Sequence, residues 1–235
     1  MQQSRAGCLA IGVRLISFVG GNAALEQLAE QLTTVASEHG FPAWRIQGLI
    51  YRGWVQVKNG DAREGISMLR RGASAYRATG AELLVPHYFA LLAEACECVG
   101  QIDEALSHLD DALRIVEGTG ERWLAPELKR QKGQLLLGQG HSATAELLYR
   151  NALNQAAEQK AKLWELRAAV SLAQLCRDQG RRSEARNVLA PVLGWFTEGF
   201  ATADFINAKA LVEELGHIEA GMASPGVVED RSKVQ

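Results

Sequence analysis

Glycine recurs every twenty residues along most of this 235-residue chain. It occupies positions 20, 40, 60, 80, 100, 120, 140 and 180, and Lys160 and Phe200 interrupt the series. Twenty residues are enough for a helix of about four to five turns and its end. Glycine just past a helix tolerates the left-handed conformation that terminates many helices. The spacing therefore predicts helices of similar length, two of which form a hairpin that repeats along an α-solenoid.

Small residues keep a fixed distance from alternate glycines of this series. Aligning the chain on the glycines at 60, 100, 140 and 180 places a small residue seven positions before each glycine and five positions after it. These residues are Gly53, Ala93, Gly133 and Ala173 before the glycines, and Gly65, Ala105, Ala145 and Ala185 after them. Small residues at fixed places allow the two helices of a hairpin to approach closely.

This order of small residues and turns resembles the tetratricopeptide repeat (TPR), whose usual period is about 34 residues. HEAT repeats have the longer period seen here, but they lack this spacing of small residues. We therefore predict an all-α fold, a right-handed α-solenoid of TPR-like helix hairpins with a 40-residue period. The predicted helix pairs are 43–58 with 61–78, 83–98 with 101–117, 122–137 with 141–158, and 162–178 with 182–196.

The chain divides into four predicted segments. Residues 22–199 form the solenoid, which begins with an unpaired helix at 22–38, and residues 200–217 form a C-terminal capping helix. Residues 1–21 form a poorly defined leading segment or an incomplete repeat, and residues 218–235 form a disordered tail without periodicity. Because the repeats begin with an unpaired helix, we expect the chain to be the C-terminal part of a longer protein. The exposed N-terminal end also offers a surface for self-association.

Composition argues against several classes of partner. The net charge is −2 with mixed signs, which provides no broad basic face for direct contact with nucleic acid. The apolar stretch 9–19 contains Arg14 and has about half the length needed to span a bilayer, so no membrane contact is expected. The four cysteines, at 8, 96, 98 and 176, lack the spacing and the histidine partners of a zinc site. They indicate reduced thiols in a cytoplasmic protein.

Motifs for catalysis are missing from the sequence. It contains no G-x-x-x-x-G-K-[ST] phosphate loop and no G-x-S-x-G nucleophile elbow. The five histidines are scattered, and adjacent acidic pairs point to different sides of a helix. We therefore expect no enzyme activity, no catalytic residue, no cofactor and no metal.

Several stretches of the chain resemble one family. They include EHGFPAW (38–44), RATGAEL (77–83), ELRAAVSLAQL (165–175) and LAPVLGWFTEGF (189–200). These stretches are similar to the C-terminal TPR region of bacterial adenylate/guanylate cyclase or winged-helix regulators that carry a STAND-type predicted ATPase module. The resemblance implies a regulatory or ligand-sensing role in signal transduction. Any cyclase or ATPase activity would belong to domains outside this chain.

The first helix of each TPR hairpin lines the concave groove, so the resemblance implies a set of groove residues. These are Trp54, Lys58, His87, Glu94, Glu97, Arg130, Gln134, Arg167, Gln174 and Arg177. Two interpretations are open. Arginine side chains and Trp54 could grip a charged peptide, or neighbouring helices could neutralise one another through pairs such as Glu94 with Arg130 or Glu127 with Arg167. Trp123, Trp164 and Trp195 are expected to be buried between helices.

The predicted function is a protein-interaction module that binds a peptide, or a domain of its own parent signalling protein, in this groove. One alternative is a solenoid that senses a small-molecule effector. Another is the remnant of a truncated cyclase or ATPase regulator.

Overall fold

The computed structural model describes the backbone of residues 2–222 and the side chains of residues 2–216. This part of the chain is all-helical, with eleven α-helices and no strand. The helices are α1 (Gln2–Val19), α2 (Asn22–Glu38), α3 (Pro42–Lys58), α4 (Ala62–Ala78), α5 (Val85–Cys98), α6 (Ile102–Thr119), α7 (Ala125–Gly138), α8 (Ser142–Glu158), α9 (Lys162–Asp178), α10 (Arg182–Leu193) and α11 (Ala203–Met222).

Consecutive helices pair into five hairpins, from α1–α2 to α9–α10, and α11 packs against α9 and α10. The odd-numbered helices also contact one another in succession, from α1 to α11. They therefore form the inner layer, and the even-numbered helices pack against it from outside. This arrangement confirms the predicted helical solenoid. The even-numbered helices α2 to α10 begin at Asn22, Ala62, Ile102, Ser142 and Arg182.

The turns follow the glycine series. All eight of its glycines have positive φ, between 68° and 95°. Lys160, which interrupts the series, adopts the same left-handed conformation with a φ of 55°. Near the second interruption, Gly199 has a φ of 75° and Phe200 follows it. The turn conformation therefore persists at position 160 even without glycine.

The helix starts depend on proline and on one capping carboxylate. Pro86 and Pro126 lie in the first turns of α5 and α7, where a missing N–H costs nothing. Each of these helices begins two or three residues later than predicted, because a proline is tolerated only in that first turn. At α4, the Asp61 carboxylate accepts a hydrogen bond of 3.3 Å from the Glu64 amide, which satisfies one free N–H of the helix start.

Two glycines bring the helices of the α3–α4 hairpin unusually close. A Cβ atom on Gly53 would lie 2.9 Å from the Gly65 carbonyl oxygen, and one on Gly65 would lie 2.6 Å from that of Gly53. The next hairpin has Ala93 and Ala105 at the same places, both buried. The predicted small positions therefore form the contact surface between paired helices.

The two ends of the chain differ from their predicted description. Residues 2–19 form a regular helix whose Ala6, Ala10 and Val13 are buried, and α1 packs on α2 and α3. The helix α2 is therefore paired. At the other end, α11 continues to Met222, and the rest of the predicted disordered tail, 223–235, lies outside the described residues.

The segment between α10 and α11 exposes two aromatic side chains to solvent. The side chains of Trp195 and Phe200 are 57% and 54% exposed, so the prediction that Trp195 is buried between helices is wrong. The physical reason is that α10 ends at Leu193, which leaves Trp195 in a turn on the surface. Thr202 caps α11, because its hydroxyl accepts a hydrogen bond of 3.4 Å from the Phe205 amide. None of the described helices combines the length and the apolar character needed to cross a membrane.

Candidate functional site: the inner cavity

The inner layer of helices lines an open cavity of about 670 Å³. Its walls come from the C-terminal end of α1, the start of α2, and α3, α5, α7, α9 and α11. Eight of the ten predicted groove residues line it, namely Trp54, Lys58, Glu94, Glu97, Arg130, Gln134, Arg167 and Gln174. The positions of these residues on inner helices therefore bring most of the predicted set together.

Glu127 is the centre of an ionic network in the wall of the cavity. Its side chain is only 5% exposed. Arg130 donates two hydrogen bonds of 2.9 Å to the two carboxylate oxygens, and Arg167 donates one of 3.2 Å. Burial opposes ionisation of this carboxyl, but the two guanidinium groups outweigh it and hold the pKa of Glu127 below its usual value. Glu127 is therefore a carboxylate at neutral pH.

Arg167 joins four helices through one guanidinium group. It binds Glu127 on α7 and forms two hydrogen bonds of 2.9 Å to the carboxylate of Asp204 on α11. The same group donates to the main-chain carbonyl of Phe18, at the end of α1. Burial works against its charge, but Asp204 and Glu127 raise the pKa of Arg167. The first and last helices of the array therefore meet at this side chain.

Other charges of the predicted groove are also paired within the chain. Arg130 donates to Gln134 at 3.0 Å, and Gln134 donates to Glu97 at 3.0 Å. Glu94 pairs with Lys58 at 3.0 Å. Neighbouring helices thus neutralise one another, as the second interpretation proposed. Of the two pairs named, Glu127 with Arg167 is present. Glu94 does not pair with Arg130, because Lys58 occupies its carboxylate.

An aromatic site lies beside this network, at the N-terminal ends of the inner helices. The ring of Phe18 packs against His87 (4.7 Å between ring centroids), Trp123 (5.8 Å) and Trp164 (5.3 Å). Trp164 is buried between helices, as predicted, Trp123 is partly buried, and both rings contact the end of α1. Phe18 was not among the predicted residues. Its position directly before Val19 and two glycines, where α1 must end, was the available signal.

His87 is buried beneath the Phe18 ring in the aromatic site and does not line the open cavity. It is 2% exposed, and its Nε2 atom lies 3.5 Å from the Ser17 hydroxyl. Burial, together with the positive charge of Arg14, lowers the pKa of His87 to about 3. The imidazole is therefore neutral at physiological pH and acts as a packing surface.

Two further predicted residues have different surroundings from those expected. Trp54 is 3% exposed and lies under the Lys58 ammonium, 4.4 Å from the ring centroid, so it is not a free apolar anchor. Arg177 lies outside the cavity lining and pairs with Asp178 at 2.9 Å and Glu214 at 3.0 Å.

One group of side chains among the described residues has the donor atoms of a metal site. The ligand atoms of Cys96, Glu104 and His108 lie within 4.8 Å of one another. The spacing of the cysteines in the sequence did not indicate this group, which forms because α5 and α6 pack side by side. Arg70 binds the Glu104 carboxylate at 2.6 Å and would compete with a cation. Burial raises the pKa of the Cys96 thiol to about 11, so this thiol is protonated at neutral pH.

The chemistry of the cavity is that of binding. Most of its charged side chains form ion pairs, and Glu97 accepts a hydrogen bond from the neutral Gln134 amide. Its other amides, including Gln174 and Asn207, offer hydrogen bonds to a ligand. Cys98 is the thiol in its lining, and burial raises the pKa of that thiol. The arrangement suits recognition of a polar, neutral chain segment.

Comparison with known proteins agrees with this architecture. A model of the tetratricopeptide repeat matches residues 86–111 and 166–191, which fall in the α5–α6 and α9–α10 hairpins. No match was found among curated protein sequences.

Solved structures with the same fold include three informative ones. A thermophilic TPR protein from Thermus thermophilus is 20% identical, with a TM-score of 0.63 over 91% of this chain and 100% of that one. A Rap protein complexed with competence and sporulation factor is 13% identical (TM-score 0.63, 94% and 65% covered). A STAND protein with a tetratricopeptide repeat sensor, from Pyrococcus horikoshii, is 9% identical (TM-score 0.61, 93% and 34% covered). The fold is a TPR-like solenoid.

Proposed function

We propose that this chain is a non-catalytic interaction module that binds a peptide, or a segment of a protein domain, in its inner cavity. The observation that carries the proposal is that the inner surface already binds a polypeptide segment, the end of α1, which forms one wall of the cavity. Arg167 donates to the carbonyl of Phe18, and the Phe18 ring fills a site between His87, Trp123 and Trp164. A surface that accepts one chain segment in this way has the chemistry to accept another.

The biological setting belongs to the same proposal. We place the module in the cytoplasm of a bacterium, in signal transduction, where it reports to a cyclase, a winged-helix domain or a STAND-type ATPase of the parent protein. Two structures with this fold support that setting by their names. One is a Rap protein bound to a factor, and the other is a STAND protein whose TPR region is described as a sensor.

A second candidate function is the sensing of a small-molecule effector. The cavity volume of about 670 Å³ lies within the range of about 300–1,000 Å³ that is common for small-molecule sites. Against this alternative, seven charged side chains line the cavity, whereas sites for small molecules usually contain only a few polar groups. The peptide therefore remains the preferred ligand.

A pair of substitutions that fill the cavity tests the proposal. Gln134 and Gln174 are exposed residues in the cavity wall, so Gln134→Trp with Gln174→Trp should block the cavity and leave the hairpins intact. Gln27→Trp is a matched control, because Gln27 is an exposed glutamine on the outer helix α2. Circular dichroism would verify that all three proteins have the same helix content.

The ligand in this test is a peptide selected from a phage-displayed random library on the wild-type protein. Isothermal titration should show at least about tenfold weaker binding to the blocked variant and unchanged binding to Gln27→Trp. Failure to select any peptide, or equal binding to all three proteins, would refute the peptide-binding proposal. A metabolite that stabilises the wild-type protein but not the blocked variant in a thermal-shift screen would favour the effector sensor instead.

A further inference from the structure

We infer that residues 17–21, the last three residues of α1 and the two glycines that follow it, are an intramolecular ligand of the cavity. We also infer that the partner competes with them through an aromatic side chain and a neutral main-chain carbonyl. We call these five residues the α1 tip. The inference rests on the proposed function, since it specifies what the partner must carry and what it must displace.

The groups that meet at this contact are far apart in the sequence. Phe18 and Arg167 are separated by 149 residues, and they belong to the first and the fifth hairpins. Within a solenoid, contacts are normally made between neighbouring repeats. A contact between the first and fifth hairpins therefore crosses the cavity, in the place where a bound ligand would touch opposite walls.

The Phe18 ring occupies a site whose walls belong to other helices. His87 and Trp164 are 2% and 7% exposed, and they are fixed by their own helices. The Phe18 side chain is only partly buried. The walls thus belong to the body of the solenoid, and the ring enters from the last turn of a helix. Edge-on contacts between aromatic rings are favourable for any aromatic side chain of similar size.

The α1 tip is held less firmly than the rest of α1. The anchor of α1 is its first two thirds, where Ala6, Ala10 and Val13 are buried. Beyond Phe18, Val19 is 44% exposed, and Gly20 and Gly21 have φ values of 89° and 92°. A Cβ atom on Gly20 would meet nothing within 4 Å. Two consecutive glycines with positive φ permit the α1 tip to unwind without moving the rest of α1.

The charges around Arg167 define the partner further. Its guanidinium group faces two carboxylates, Glu127 and Asp204, and the second arginine, Arg130, is also bound to Glu127. Two positive and two negative charges cancel. An incoming carboxylate would add an uncompensated negative charge, whereas a main-chain carbonyl replaces the Phe18 carbonyl without changing the balance. A neutral peptide segment with an aromatic residue therefore fits better than an acidic tail.

A variant that vacates the site tests this inference. Phe18→Ala in the full chain removes the ring, and the probe is a synthetic peptide of residues 13–22 (VRLISFVGGN) with acetylated and amidated ends. Isothermal titration should show that this peptide binds Phe18→Ala at least about tenfold more tightly than it binds the wild-type protein. The same peptide with alanine in place of phenylalanine should not bind either protein.

Two further variants guard against indirect effects. Leu15→Ala removes an apolar side chain from α1 that is 57% exposed and should behave like the wild-type protein. If Phe18→Ala does not fold, Phe18→Leu keeps most of the apolar volume without the ring and should still bind the probe more tightly than the wild-type protein does. Equal binding to the wild-type and vacated proteins, or binding that does not need the phenylalanine of the probe, would overturn the inference.

The peptides selected for the proposed function separate the two proposals. Phe18→Ala should bind those peptides at least about threefold more tightly than the wild-type protein, because the internal competitor has gone. If they bind the wild-type and vacated proteins equally, and the blocked variant weakly, the cavity binds peptides but the α1 tip does not compete. If no protein selects a peptide, the proposed function itself fails.

Discussion

Two ionic clusters with the same composition lie on different sides of this solenoid. Each contains two carboxylates and two arginines from neighbouring helices. The inner cluster, in the cavity wall, is Glu127, Arg130, Arg167 and Asp204. The outer cluster, on the surface, is Glu146, Arg150, Arg181 and Glu184. They differ mainly in how much of each side chain remains in contact with water.

The difference in exposure decides what each cluster contributes. The Glu127 side chain is 5% exposed and that of Glu146 is 23% exposed. The arginines bound to Glu127 are 16% and 22% exposed, whereas those bound to Glu146 are 41% and 32% exposed. Water and salt can replace a lost partner on the surface but not in the cavity wall. The inner cluster therefore fixes the cavity, and the outer cluster adds little.

The largest expected effect is the loss of the central inner carboxylate. Glu127→Gln leaves Arg130 and Arg167 without their shared negative charge in a buried site. The free energy of unfolding should fall by about 3–5 kcal/mol, which is typical when one partner of a buried ion pair is removed. Urea denaturation followed by circular dichroism measures this change. A loss below about 1 kcal/mol would show that water reaches the inner cluster. The inner and outer clusters would then not differ in what they contribute to stability.

Lowering the pH should destabilise the protein through the buried His87 in the aromatic site, and it does so without altering the residues of either cluster. His87 has a pKa of about 3 in the folded protein, against about 6.5 when exposed. Below pH 6.5 the unfolded chain therefore takes up a proton that the folded chain refuses, so stability falls as the pH drops. The loss attributable to His87 should reach about 2 kcal/mol at pH 5.

The control for that prediction is a variant that cannot titrate. Stability of His87→Gln should change less between pH 7 and pH 5 than stability of the wild-type protein, with both measured by urea denaturation. The pKa of Glu127 is held below its usual value. The stability that such carboxylates contribute is therefore lost only at lower pH, where they become protonated. Parallel pH profiles for the two proteins would mean that His87 takes up its proton without unfolding.

The contrast between the clusters also shows what sequence could predict. The turns follow from local chemistry, since a left-handed residue is needed at each helix end, and the glycine series marks those ends. The cavity residues follow from the position of each side chain on an inner helix. The Glu127–Arg167 pair was one of two open alternatives, because adjacent inner helices bring the equivalent positions of neighbouring hairpins together.

Contacts that cross the cavity were beyond the reach of sequence. Phe18 and Asp204 meet Arg167 only because the five hairpins curve enough to bring α1 and α11 to the same side chain. Curvature is the sum of small rotations between hairpins, and no spacing of residues specifies it. The exposure of Trp195 had a similar cause, since it depends on α10 ending at Leu193.

Removing a carboxylate from the outer cluster should have a much smaller effect than removing Glu127. Hydrogen bonds from Arg181 and Arg150 hold the pKa of Glu146 below its usual value, yet its arginines remain open to water. Glu146→Gln should lower the free energy of unfolding by less than about 1 kcal/mol. The loss should shrink further in high salt, because exposed charges are screened. An effect as large as that of Glu127→Gln, or one insensitive to salt, would show that exposure is the wrong basis for comparing the clusters.

The smallest expected effect lies in the turn between α8, which carries Glu146, and α9, which carries Arg167. Lys160 adopts a φ of 55° there, a conformation that costs a residue with a side chain about 1–2 kcal/mol. Lys160→Gly removes this strain but adds freedom to the unfolded chain, worth about 0.5–1 kcal/mol. A net gain of roughly 0.5 kcal/mol should raise the Tm by about 1–2 °C. The gain should be the same in low and high salt, unlike the effect of Glu146→Gln, because it arises from backbone conformation. A decrease in Tm would mean that the Lys160 side chain stabilises the turn by more than its backbone strain costs.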